Sequence, residues 1–86
     1  MHTDEYEISI GREISLCGRL IRRLKRSIQK RENQYGISTE DFLKTLHQGR
    51  LAETNTDFAN WRRDCRELQD LERMLSQYEE ELKKLK

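Results

Sequence analysis

The sequence predicts an all-α protein, an antiparallel hairpin of two long helices joined through a short one and completed to a four-helix bundle by dimerisation. Three observations predict it. The 86 residues contain no proline and only four glycines, and 38% of them are charged; among charged residues Glu, Arg and Lys are good helix formers, so little interrupts a helix. Apolar side chains recur at steps of three and four along both the first and the last third of the chain. The polar, glycine-containing segment between them is long enough to return the chain on itself.

The first helix is expected over about residues 4–34. Ile10, Ile14, Cys17, Ile21, Leu24 and Ile28 form a heptad-like seam that Tyr6 extends, while Arg12, Arg19, Arg22, Arg23, Arg26 and Lys30 collect opposite it. Asp4 followed by Glu7 resembles a capping box, and Gly36 suits the left-handed position just past the end. Alternation of Tyr6, Ile8 and Ile10 with polar residues, followed by Gly11, leaves an extended start as the alternative.

A short helix is expected over about 39–48. Ser38 is its N-cap and Asp41 stands at N3, with Ile37 placed to staple onto Phe42; Leu43 and Leu46 complete an apolar face and Gly49 ends the helix. The polar run Ala52 to Thr56 reads as a turn, with Asn55 or Thr56 capping a third helix over about 57–85. That helix carries Phe58, Trp61, Cys65, Leu68, Leu71, Leu75, Tyr78, Leu82 and Leu85. The two consecutive steps of three, Cys65 to Leu68 to Leu71, rotate the second half of the stripe relative to the first. Antiparallel pairing then sets Ile28 near Trp61, Leu24 near Cys65, Ile21 near Leu68, and Ile14 near Leu75 or Tyr78.

Residues 1–86 form one domain on this reading, with a thin core. Apolar residues make up 34% and mean hydropathy is −1.05, so the apolar side chains must be arranged to cover one another. Two helices alone do that poorly. Leu16 and Leu20 beside the first seam, and Met74, Tyr78 and Leu85 along the rotated stripe, are left for a second contact face. Gly11 and Gly18, with Ser15, lie on the other flank of the first helix, where small residues permit close approach. These leucine, methionine, tyrosine and glycine positions are the expected contacts of a homodimer or of another protein.

Net charge is +1, but residues 19–66 sum to +6 while residues 1–18 and 67–86 sum to −3 and −2. The run from Arg19 to Arg31 has no acidic residue, and Arg19, Arg22, Arg23, Arg26 and Lys30 are its candidate nucleic-acid contacts. A solvated helix back is the simpler reading, since no base-reading element or stacking aromatic accompanies them. Trp61 with Phe58 and Tyr35 is expected as packed core near the turn rather than as an exposed recognition cluster.

No catalytic site is expected. The sequence holds no phosphate-binding loop, dinucleotide fingerprint or nucleophile motif, and neither His2 nor His47 has a second ligand at metal spacing. No cofactor, metal or small-molecule substrate is implied. The acidic run Glu79 to Glu81 reads as a solvated end. Cys17 and Cys65 fall at different heights of the hairpin and are expected as core thiols. The acidic start and the lack of a long apolar run point to the cytoplasm and away from a membrane.

The run Tyr35-Gly36-Ile37-Ser38-Thr39-Glu40-Asp41-Phe42, then Gly49, then Asp57-Phe58 with Trp61 and a charged, leucine-bearing helix, resembles small uncharacterised prokaryotic helical proteins encoded beside toxin-like genes and taken to be antitoxin-like partners. The resemblance spans about residues 34–86 and rests mainly on capping and packing residues. The first helix here is longer and more basic than in that pattern. The resemblance implies a protein that blocks a partner through helical surfaces, with Phe42, Phe58 and Trp61 organising the hairpin. Protein–protein interaction is therefore the expected function, and nucleic-acid association through the basic half is the alternative.

Overall fold

A computed structural model describes residues 5–49 and 55–85. It contains α1 (Glu5–Tyr35), α2 (Thr39–His47) and α3 (Thr56–Leu85), with no strand among the described residues. α1 and α3 pack along their lengths as an antiparallel hairpin. The molecule is a rod of 58 × 21 × 19 Å with a radius of gyration of 17.1 Å, against roughly 12 Å for a compact domain of this length.

α1 is helical from Glu5, so the extended alternative for Tyr6 to Ile10 does not occur. The isolated Gly11 costs less than the helix gains from an amphipathic face that is continuous on both sides of it. The expected Asp4 cap and most of the Ala52 to Thr56 turn lie outside the described residues. α1 ends at Gly36, whose φ of 64° is left-handed; the amides of Gly36 and Ile37 both donate to the Glu32 carbonyl, at 2.8 and 3.3 Å. The Glu32 carboxylate in turn accepts from the Thr39 amide at 2.6 Å, tying the end of α1 to the first turn of α2.

Ser38 caps α2 from an extended backbone, its Oγ accepting from the Asp41 amide at 3.1 Å. Ser38→Ala is expected to cost about 1 kcal/mol, read as a lower urea midpoint with an unchanged slope; a midpoint that does not move would show the cap to be idle. Gly49 closes the helix at φ 75°. Between the two caps offered for α3, Asn55 is the one used: its Oδ1 accepts from the amides of Asp57 and Phe58 at 2.9 and 3.2 Å.

The core lies at the turn end. Ile28, Phe42, Leu46, Trp61 and Cys65 form one buried cluster, and Ile37, Leu43, Phe58 and Leu68 pack against it. Phe42 and Trp61 are fully buried and stack at 3.9 Å between ring centroids with planes 4° apart. The Trp61 indole N–H donates to Thr39 Oγ1 at 3.1 Å. Thr39 thus joins all three helices, through Glu32 on one side and Trp61 on the other. Within the aromatic group Trp61 is buried, Phe58 half-buried and Tyr35 exposed at the rim; the Tyr35 hydroxyl donates to Asp57, which raises the phenol's pKa above its ordinary value.

Towards the open end Ile10, Cys17 and Ile21 are buried in the seam. Ile14 and Leu75 line one groove. The Tyr6 hydroxyl donates to Glu81 at 2.8 Å and joins the two helices at this end, raising the pKa of the phenol. Cys17 and Cys65 are buried free thiols, and burial pushes both pKa values up.

Candidate interaction surface

The doubled step of three in α3 shapes the surface. Trp61, Asp64 and Cys65 are its buried residues, all in the first half. Beyond Leu68 the stripe rotates off the seam: Leu71, Leu75, Tyr78 and Leu82 are only half-buried, and Met74 and Leu85 are exposed. At 100° per residue, Leu71, Met74, Tyr78 and Leu85 lie on one flank of α3.

That flank adjoins the Leu16 and Leu20 flank of α1. Leu20 and Leu24 share a groove with Leu71, bordered by Arg23, Glu67 and Asp70. Helical periodicity carries Leu16 on from Leu20, and Met74 and Tyr78 on from Leu71, towards the open end. The structure therefore brings five of the expected interaction residues, Leu16, Leu20, Met74, Tyr78 and Leu85, to one side of the rod. Exposure is 41% at Leu16, 39% at Met74 and 38% at Leu85, so closing the hairpin does not cover them. Leu24 and Leu71 belong to the same strip; their place in the seam spacing hides that in the sequence.

Gly11 and Gly18 lie on the opposite flank. Gly18 lines the groove of Ile14, Ser15 and Leu75. A Cβ at Gly11 would meet nothing within 4 Å, and one at Gly18 only the Arg22 guanidinium at 3.5 Å. No close approach within this chain requires either glycine.

No protein family, curated protein or solved structure matches the chain. Its functional reading therefore rests on the surface itself.

Arg19, Arg22, Arg23, Arg26 and Lys30 are all exposed, and among the described residues none has a carboxylate within 4.0 Å. Arg31, in the same basic run, behaves differently. It turns inward to Asp64, with Nη1 to Oδ2 at 2.7 Å, and Ser27 Oγ donates to the same carboxylate oxygen at 3.3 Å. Arg31 Nη1 also donates to Ser27 Oγ at 3.3 Å. Opposite the basic run α3 supplies further carboxylates, and Lys25 reaches Glu72 at 4.0 Å. The basic half is thus less uniformly positive than α1 alone implies.

Among the described residues no group of three His, Cys, Asp or Glu side chains is placed to hold a metal, and no helix is long and apolar enough to cross a membrane. The open niche beside α2, lined by Glu40, Leu43, Lys44, Leu46, His47 and Arg62, is where His47 meets charged groups. It presents no nucleophile paired with a base.

Proposed function

We propose that this chain is a non-enzymatic helical protein–protein interaction module acting in the cytoplasm. The observation that carries the reading is the one-sided apolar strip of Leu16, Leu20, Leu71, Met74, Tyr78 and Leu85, still open after α1 and α3 have paired. Contiguous apolar surface beside a polar surround is the ordinary mark of a contact site. Two helices make half of a four-helix layer, and a further pair of helices is what their uncovered flank fits. An antitoxin-like role, in which the strip covers a toxin-like protein, is one form of this reading, and a homodimeric adaptor is another.

Native purification from its own cells followed by mass measurement tests it. The chain is expected in a complex, with itself or with another protein, and Leu16→Glu or Met74→Glu is expected to release it while the isolated chain keeps its helical signal, with melting lowered by no more than the lost partner's contribution. A chain that emerges alone and monomeric at every concentration would overturn the reading.

The second reading, association with nucleic acid, rests on Arg19, Arg22, Arg23, Arg26 and Lys30, all exposed on α1. It expects binding to generic duplex DNA or RNA that weakens steeply with salt and is lost when Arg19, Arg23 and Arg26 are all reversed to Glu. Weak binding unchanged by the reversal would remove it.

A further inference from the structure

We infer that the apolar strip is covered by a second copy of this chain lying antiparallel to the first, with a two-fold axis crossing the rods near Leu16 and Met74. The inference rests on the interaction reading above and names its partner. A two-fold contact uses the same patch twice, so the patch must complement itself. This one does: α1 contributes Leu16 and Leu20, α3 contributes Leu71, Met74 and Tyr78, and rotation about an axis across the rods sets Leu16 of each chain on Leu16 of the other, Met74 on Met74, and Leu71 by Tyr78.

Charge decides the direction. At the open end residues 5–18 of α1 are net acidic, with Glu5, Glu7 and Glu13 against Arg12, whereas Arg19 to Lys30 holds cations alone; Glu67, Asp70 and Glu72 of α3 lie beside that basic run. A parallel pair would stack the basic halves on each other and the acidic ends on each other. The antiparallel pair places the acidic start of each α1, with Glu5 and Glu7, along Arg23 and Arg26 of its partner's α1. Such complementarity selects orientation as well as partner.

Size is sufficient. With the axis near Leu16, the rods overlap over about 23 residues of α1, about 34 Å at ~1.5 Å per residue. Across rods 19–21 Å wide the overlapping faces measure at most roughly 700 Å² per chain, of the order of the ~800 Å² per partner of a standard stable interface. Gly11 and Gly18 take no part, because they lie on the far flank.

The test uses the purified full-length chain carrying Gln34→Cys, an exposed position in the last turn of α1, labelled with a nitroxide under native conditions; Cys17 and Cys65 are buried and shielded from the reagent. Light scattering is expected to give twice the chain mass. Pulsed dipolar spectroscopy is expected to place the two labels about 55–60 Å apart, from about 18 residues of helix on each side of the axis. Dissociation is expected to strengthen as salt is raised, because opposite charges face each other, and Leu16→Glu and Met74→Glu are each expected to weaken association at least about tenfold. Labels less than about 30 Å apart, or association that tightens with salt, would overturn the antiparallel arrangement. A pure chain that stays monomeric, while the natively purified chain carries a different protein, would overturn the second copy and leave the interaction reading standing.

Discussion

Trp61→Ala is expected to leave the chain largely unfolded at about 37 °C. Trp61 is fully buried, stacked on Phe42 at 3.9 Å and on Tyr35 at 6.1 Å, and in one cluster with Ile28, Leu46 and Cys65. Truncating a buried tryptophan removes its transfer energy and opens a cavity, about 3–5 kcal/mol together. A domain of this length has on the order of 4–13 kcal/mol in all. The loss here falls near the top of its range, because the cluster is the only buried one among the described residues and the Thr39 hydroxyl also loses its indole donor. Circular dichroism should show the melting midpoint lowered by about 15–30 °C. Trp61→Phe keeps a ring against Phe42 and should cost much less, about 1–2 kcal/mol. A midpoint for Trp61→Ala within a few degrees of the parent would mean that the turn end does not hold the hairpin.

The pairing of α1 with α3 is legible in the sequence because it depends on local rules. Ile10, Cys17, Ile21 and Ile28 are buried where the steps of four and three put them. Ser38, Gly36 and Gly49 act as caps and stops for reasons that each residue carries in its own chemistry. The surface strip is legible as well, since Leu16 and Met74 sit off the seam and a two-helix molecule has nowhere else to put them. Two features are not legible. Thr39 links Glu32 and Trp61 through contacts that only the folded turn creates. Asp64 escapes notice because a charged residue does not count towards an apolar seam, although on the helical wheel it falls inside the arc from Trp61 to Leu71. Its partner Arg31 belongs to a run of seven cations in which nothing local sets it apart. Covalent sequence encodes the face that a side chain takes; whether a charge on that face is tolerated depends on what stands across from it.

Asp64 supplies the second large effect, and a sharper test of that dependence. Its side chain is 10% exposed and that of Arg31 18%, and Ser27 bonds to both. Removing one member of a buried pair leaves the other desolvated without compensation, a loss of about 3–5 kcal/mol when burial is complete. Arg31 keeps some contact with water and its long side chain can swing further out, so Asp64→Ala is expected to cost less, about 2 kcal/mol. Arg31→Met alone leaves the shorter carboxylate buried beside Cys65 with only the weak Ser27 bond, and should cost at least as much. The double variant Asp64→Leu with Arg31→Met restores apolar contact on both sides of the seam. It should be far less destabilised than the sum of the single changes, with a coupling of about 1–3 kcal/mol in urea titrations of the full cycle. The exposed Lys25–Glu72 pair, at 4.0 Å, sets the contrast: breaking it should change stability by less than about 1 kcal/mol, and by less still in high salt. Additive effects at Arg31 and Asp64 would mean that the two charges are held separately by water and that the bridge contributes nothing to joining α1 to α3.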